Sequence, residues 1–411
     1  MGRFTEEEVL ALDAADPLAP LRDLFVLPEG VIYLDGNSLG PLTKAARERV
    51  TRTVEAEWGE GLIRSWNTAD WIDLPTIAAA KIAPLIGAAP ETVAVTDSTS
   101  VNLFKVLSVA LEKRDDRRVV LTEAGNFPTD LYIAEGLGRL LGRGHEVRAV
   151  PTEALAAAVN ETVAVVLLTE VNYRTGARLD MAGLTAHAHA AGALTVWDLA
   201  HSAGAFPVDV AAADVDFAVG CGYKYLNGGP GAPAFAYVAP RHLDGLRQPL
   251  AGWMGHTAPF AFAPHYQPAA SIEALRVGTP PILSLAALDT ALDVFAGVDL
   301  GAVRAKADRL FDIFTSEVAA VCPGLEVLTP RKPAARGTQV SLRFPDAYPV
   351  MQALIARGVI GDFREPDVLR FGLTPLYLRH RDLLEAARIL GEVMATGAWD
   401  RHEFRARARV V

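Results

Sequence analysis

Cysteine is almost missing: the 411 residues include two, Cys221 and Cys322. Two thiols without metal-ligand spacing exclude a disulfide-stapled scaffold and a zinc site, and they fit a reducing cytoplasm. No basic run occurs and the formal net charge is −10, so the electrostatic footprint of a nucleic-acid or anionic-membrane binder is lacking. Long apolar runs are lacking as well; 162-TVAVVLLT-169 is too short to span a bilayer. The opening stretch MGRFTEEEVLALDAADPLAP is acidic and amphipathic where a secretory leader would be basic and then apolar, and Glu6 stands where a myristoylation motif needs Ser or Thr. The expectation is a cytoplasmic protein whose partner is a small molecule, with no nucleic acid, membrane or metal.

What is present is ordinary globular material, 51% apolar and 21% charged, long enough for two or three domain-sized units. Between residues 90 and 240, β-rich runs (93–96, 118–122, 163–169, 193–200, 216–222 and 234–239) alternate with helical patterns such as 127–142 and 181–191. Continuous apolar strands separated by helices predict an α/β fold with a mainly parallel central sheet covered on both faces, and ligands gather at the carboxyl ends of such strands. Beyond residue 285, helical patterns near 283–320 and 379–396 frame short strands at 325–328, 338–344 and 368–373, a smaller α+β unit. A Pro/Gly-rich stretch, 249–281, reads as loop at a domain or subunit boundary. The expected division is an N-terminal segment 1–45, a large domain 46–285 and a small C-terminal domain 286–411.

Four segments carry chemistry. In 222-GYKYLNGGPG-231, Lys224 follows a buried strand and precedes a glycine-rich turn. Desolvation and nearby positive charge there would make its amine nucleophilic toward an aldehyde; the alternative is a surface lysine opening a turn. Twenty-six positions earlier, ALTVWDLAHSAG ends a strand in Asp198 and then His201. A carboxylate so placed can pair with a pyridinium nitrogen, although a strand-ending Asp is also a common cap or turn residue. The hydroxyl run in 96-TDSTSVNLFKVL-107 precedes a helical pattern, which suits either a phosphate or a plain N-cap. In 125-GNFPTD-130, the Phe127 ring has the shape to lie on a flat heterocycle and Asp130 can reach a polar edge.

With Asp198, His201 and Lys224 in this order, the chain resembles the fold-type I pyridoxal-phosphate enzymes, and within them the kynureninase family. The resemblance runs from residue 33 to 377 through YLDGNSLGP, NFPTD, TEVNYRTG, WDLAHSAGAFPVD, GWMGH, GTPPIL and RFGLTPLY. It implies an aminotransferase fold with pyridoxal 5'-phosphate held by Lys224 as a Schiff base, Asp198 on the pyridine nitrogen and Phe127 stacked on the ring. It further implies Thr99, Ser100 and Tyr223 on the phosphate, and Pro128, Thr129, Asp130, Thr169 and His201 completing the cofactor contacts. Trp253 and Thr279 match positions that reach the phosphate from a neighbouring subunit, hence a homodimer with shared active sites. Arg370 matches the holder of the substrate's α-carboxylate, a task that suits a guanidinium fork, while an ion pair at a strand end is the other reading. Tyr33, Asn37 and Trp66 are candidates for the substrate side or for simple packing.

The implied reaction is hydrolysis of the Cβ–Cγ bond of L-kynurenine, with 3-hydroxykynurenine as the related substrate, to anthranilate or 3-hydroxyanthranilate and L-alanine, in tryptophan catabolism or NAD precursor synthesis. Two alternatives share the framework. One is a cysteine desulfurase or selenocysteine lyase; a desulfurase needs a reactive cysteine on a mobile loop after the lysine, and the only later one, Cys322, has apolar flanks. A cofactor-binding relic without catalysis is the other.

Overall fold

The strands that carry the candidate site are mainly apolar, with polar residues at the carboxyl ends of three of them, and they are buried end to end. In the computed structural model, which describes residues 3–407, thirteen strands occur: β1 (Ile32–Tyr33), β2 (Val93–Val95), β3 (Val119–Glu123), β4 (Glu146–Val150), β5 (Val163–Thr169), β6 (Leu194–Asp198), β7 (Phe217–Gly220), β8 (Phe235–Val238), β9 (Glu326–Val327), β10 (Gln339–Arg343), β11 (Val359–Ile360), β12 (Asp362–Arg364) and β13 (Val368–Gly372). Seven form one sheet in the order β2-β8-β7-β6-β5-β3-β4. Pairings among β4, β3, β5, β6 and β7 are parallel, while β8 runs antiparallel to both β7 and β2. The chain leaves β3 for β4 on one side and returns to β5 on the other. This reversal opens a crevice at the strands' carboxyl ends.

The chain divides into two units. The larger is Ala46–Asn172 with Leu179–Asp293; the smaller takes the described residues up to Ala45, Tyr173–Arg178 and the described residues from Val294. In the larger unit every residue of β3, β5 and β6 is buried. The helix Thr99–Lys113 supplies Leu103, Val106, Leu107 and Ala110 to the same core as Val120, Val165, Val196 and Phe217. That spacing of three and four residues is one face of a helix, and each leucine or valine so buried contributes about 1.5–3 kcal/mol. The smaller unit holds an antiparallel sheet ordered β12-β13-β10-β9 and the parallel pair β1-β11.

The long strands and helices lie where the sequence pattern puts them, with ends shifted by a residue or two. The edge strand β4 was not anticipated, because its Glu146 and Arg148 are exposed or half-exposed and interrupt any apolar run. The very short β1 and β11 lacked a pattern long enough to read. The Pro/Gly-rich stretch 249–281 lies within the larger unit, which continues to Asp293.

At the opposite, amino-terminal edge of the sheet, Asp216 precedes β7 and is 1% exposed. It accepts hydrogen bonds from His189 Nε2 (2.7 Å), His242 Nε2 (2.8 Å), Arg241 Nη2 (2.7 Å) and the Thr195 N–H (2.8 Å). Burial pushes its carboxyl up, but the His242 and His189 hydrogen bonds and those from Thr195 and Arg241 outweigh it and hold the carboxyl well below the usual range. A depressed carboxyl adds stability above its unfolded pKa, about 3.9, and that stability is lost as pH falls through the folded value. Asp216→Asn is therefore expected to cost about 3 kcal/mol at pH 7, with the gap to wild type shrinking below about pH 4. Urea unfolding followed by circular dichroism across that range checks it; a gap that widens in acid would contradict the assignment.

Candidate active site

Four adjacent parallel strands, β3, β5, β6 and β7, deliver Phe127, Asp130, Thr169, Asp198, His201 and Lys224. Thr169 ends β5 and Asp198 ends β6, and the two are register partners; Asp198 is in turn opposite Val219 of β7. Equal register in a parallel sheet puts both side chains on one face. Asp198 Oδ1 accepts the Ala200 N–H at 2.7 Å. Past β7, Gly222 has the Pro233 carbonyl 2.3 Å from where a Cβ would sit, so only glycine admits the turn that follows. In that turn the Asn227 N–H returns to the Lys224 carbonyl at 2.9 Å. The turn leaves Lys224 half-buried with Nζ 3.0 Å from His201 Nε2.

Past β3, Asn126 organises the next stretch. Its Oδ1 accepts from the Phe127 N–H (2.7 Å) and from the Thr169 hydroxyl, and its Nδ2 donates to Thr122 Oγ1 at 3.0 Å. Phe127 then caps the helix Pro128–Leu141, with Pro128 at its first position and Asp130 in its first turn. The Phe127 ring is 40% exposed, whereas Asp130 is buried with Oδ2 3.3 Å from Thr169 Oγ1. Burial raises both carboxyls: Asp130 well above its ordinary value, with the Asp198 charge adding to the rise, and Asp198 as well, opposed by the charge of Lys224 and the Ala200 N–H. Two carboxyl groups in so dry a place call for a positive partner.

A third group surrounds a cavity of about 610 Å³ lined by Thr96, Asp97, Thr99, Tyr223, Arg276 and Thr279, among others. Ser98 is the N-cap of the helix Thr99–Lys113 and accepts the Val101 N–H at 3.4 Å, so both the cap and the anion-site readings of this hydroxyl run have a physical basis. Thr99 and Ser100 open that helix, where backbone donors have no intrahelical acceptor and favour an anion. Thr279 of this same chain borders the cavity. Trp253 belongs to a separate, exposed aromatic group, 5.6 Å from Phe260 and 6.2 Å from Phe262 between ring centroids. Trp66 packs edge-on against Trp71 at 5.9 Å.

The smaller unit carries Tyr33, Asn37 and Arg370. Arg370 lies in β13, is 1% exposed and is held by Asp362 of β12: Nε donates to Oδ1 at 2.8 Å and Nη2 to Oδ2. Its other edge gives Nη1 to the Tyr173 carbonyl and Nη2 to Ser38 Oγ, both at 2.7 Å. The fork is thus a buried ion pair with one edge fixed. Asn37 is fully buried, its Oδ1 and Nδ2 without protein partners, and its Oδ1 would lie 2.2 Å from a Cβ at Gly372 of β13. The Tyr33 hydroxyl donates to the Leu39 carbonyl at 2.7 Å. Asn126, Ser38 and Asp362 escaped the sequence reading. Asn126 and Ser38 sit inside the quoted NFPTD and YLDGNSLGP segments, whereas Asp362 gave no signal, because pairing of β12 with β13 is invisible in sequence.

The fold that carries this site has structural counterparts among solved proteins. A cysteine desulfurase from Escherichia coli superposes with a TM-score of 0.78 at 19% identity, covering 92% of this chain and 98% of that one. A C-DES variant with glycine covalently linked to its PLP cofactor gives 0.75 at 19% identity, covering 88% and 97%. The fold is therefore that of the aminotransferase-like, fold-type I pyridoxal-phosphate enzymes. Sequence comparison is more specific: a kynureninase from Burkholderia mallei (strain SAVP1) is 52% identical over 413 residues, covering 99% of both chains, and the model of the kynureninase C-terminal domain matches residues 303–390. The chain belongs to the kynureninase family.

Burial pushes the Asp362 carboxyl up, but the charge and hydrogen bonds of Arg370 pull it below its ordinary value, while burial beside Asp362 pushes Asp35 up to about 7. Asp362→Asn, which turns an amide toward a buried guanidinium, is expected to lose about 3 kcal/mol of stability. Asp35→Asn is expected to raise stability at pH 6, because a carboxyl raised in the fold must take up a proton on folding above its unfolded pKa, and the gain should shrink as pH falls toward about 4. Urea unfolding of both variants at pH 6 checks this, and equal losses would contradict the pairing.

Proposed function

We propose that the protein is a kynureninase, hydrolysing the Cβ–Cγ bond of L-kynurenine, and of 3-hydroxykynurenine, to anthranilate or 3-hydroxyanthranilate and L-alanine with pyridoxal 5'-phosphate. The observation that carries the reading is Lys224 Nζ, 3.0 Å from His201 Nε2, in a chain 52% identical from end to end to kynureninases. The residues present suit the cofactor: burial raises the Asp198 and Asp130 carboxyls against the opposing charge of Lys224, a protonated pyridine nitrogen would add a second positive charge there, and the hydroxyl-lined cavity at a helix N-terminus suits its phosphate.

In this reading Lys224 binds the aldehyde carbon, Asp198 the ring nitrogen and Phe127 the ring face. Thr99, Ser100 and Tyr223 take the phosphate; Pro128, Thr129, Asp130, Thr169 and His201 complete the surround. When bound, the cofactor supplies an electron sink for charge developed at the substrate's Cα. Lys224 Nζ is the general base that holds and returns the Cα proton, and its contact with His201 fixes the amine in place. Asp198 keeps a proton at the nitrogen it faces, which only a charged carboxylate does well. Arg370 takes the α-carboxylate on the edge now bonded to Ser38 and Tyr173. One water adds to the γ-carbonyl carbon; its oxygen leaves in the new carboxylate and a proton goes to Cβ. Tyr33, Asn37 and Trp66 are assigned to the substrate side.

A desulfurase reading is disfavoured by the thiols. Cys221 and Cys322 are both buried, and burial pushes Cys322 up to about 11, far from a ready nucleophile. A homodimer sharing Trp253 between sites is supported by the exposed Trp253, Phe260 and Phe262, whereas Thr279, expected from the neighbouring subunit, borders the cavity of its own chain; a cytoplasmic location is supported by the two free thiols.

Incubation with L-kynurenine should release anthranilate, seen by its fluorescence, and Lys224→Ala should abolish this while retaining weak cofactor binding. No anthranilate from cofactor-loaded protein would contradict the function. Arg370→Ala should lower kcat/KM by the equivalent of about 2–5 kcal/mol, with Arg370→Lys recovering only part, because an ammonium does not reproduce the fork. An unchanged kcat/KM in the alanine variant would remove Arg370 from the substrate site.

A further inference from the structure

Lys105 is the most deeply buried ammonium group near the cavity, with a side-chain exposure of 0%. It projects from the helix Thr99–Lys113, six residues beyond the Thr99 that opens it. A lysine taken out of water must satisfy three N–H donors. Three acceptors surround Nζ: the Asp97 carboxylate, the Leu275 carbonyl at 2.6 Å and Asn102 Oδ1 at 3.4 Å. Burial lowers its pKa while Asp97 opposes the shift.

What these acceptors belong to gives the lysine a role. Asp97 has φ +46°, a left-handed conformation unusual for a residue with a side chain, and it turns the chain from β2 into the helix N-terminus. Three hydrogen bonds hold that conformation: Thr96 Oγ1 donates to Asp97 Oδ2 at 2.8 Å, the Asp97 carbonyl accepts the Ala234 N–H at 2.8 Å, and Asn102 Nδ2 reaches back to the Thr96 carbonyl at 2.8 Å. Leu275, 170 positions away, leads through Arg276 to Thr279 on the cavity wall. One ammonium therefore ties together the two segments that bring Thr99 and Thr279 to the same cavity.

We propose that Lys105 is a positioning residue of the cofactor-phosphate cradle, clamping the Asp97 turn to the Leu275–Thr279 segment so that the backbone donors at Thr99 and Ser100 are set before the phosphate arrives. The proposal rests on the reading of pyridoxal 5'-phosphate as cofactor with its phosphate at Thr99. A clamp of this kind acts on the phosphate end and leaves the ring end, built on Asp198 and Phe127, unaltered.

The test compares pyridoxal 5'-phosphate with pyridoxal, which lacks the phosphate. Holoenzyme is stripped of cofactor and back-titrated with each, with the visible absorbance of the lysine-bound form as readout. Lys105→Met is expected to raise the Kd for pyridoxal phosphate about tenfold or more while leaving that for pyridoxal within about twofold. Asp97→Asn, which keeps a residue tolerant of the left-handed turn, should show the same selective loss to a smaller degree, and it decides the matter should the methionine variant fail to fold by circular dichroism. Thr99→Ala serves as the reference for the phosphate site. If Thr99→Ala loses phosphate selectivity but the Lys105 and Asp97 variants weaken both ligands equally, or neither, the clamp is overturned and the cradle stands. If Thr99→Ala shows no selective loss either, the phosphate reading fails and takes the clamp with it.

Discussion

Two carboxyl groups and one amine, brought to the dry carboxyl edge of a parallel sheet, are the constraint on which the larger unit depends. Burial raises Asp198 and Asp130 together, and the charge of Lys224 pulls each back down. Such a group is costly to build and has no role in packing; a row of aliphatic residues would stabilise the edge more. It makes sense as a receptor for a cationic heterocycle that completes the charge balance. The register of β5 against β6, which sets Thr169 beside Asp198, and the tight turn at Gly222, which returns Lys224 toward His201, both serve that arrangement.

Stability and chemistry sit at opposite edges of the same strands. At the amino-terminal edge, Asp216 is fully satisfied by two histidines, an arginine and a backbone N–H, and it remains ionised through the neutral range. At the carboxyl edge the carboxyls are raised and incompletely matched. The smaller unit repeats the theme in another form: Arg370 and Asp362 satisfy one another, with Asp35 holding a proton alongside at about 7. Its guanidinium is held by the Asp362 carboxylate on one edge and by the Ser38 hydroxyl and the Tyr173 carbonyl on the other.

Much of this was legible in the sequence, for specific reasons. Apolar runs such as 163-VAVVLLT-169 are unambiguous when both faces of a strand are buried, and the residue following each run falls in the crevice by topology alone. Asp198 was readable because it ends such a run, and Lys224 because it follows one closely. The edge strand β4 was not, since exposure erases its pattern. Asp362 and Lys105 were not either, because their roles depend on partners brought by tertiary folding: Arg370 on a neighbouring strand, and a carbonyl 170 positions away. The excursion of Tyr173–Arg178 into the smaller unit, which gives Arg370 the Tyr173 carbonyl, left no local trace.

The account stands or falls on the covalent attachment of cofactor to Lys224. Reduction of the cofactor-loaded protein with borohydride, followed by proteolysis and mass mapping, locates that bond directly. The expected result is one cofactor mass on the peptide containing 222-GYKYLNGGPG-231. Cofactor mass on any other lysine, Lys105 or Lys81 for example, or none retained after reduction, would contradict it.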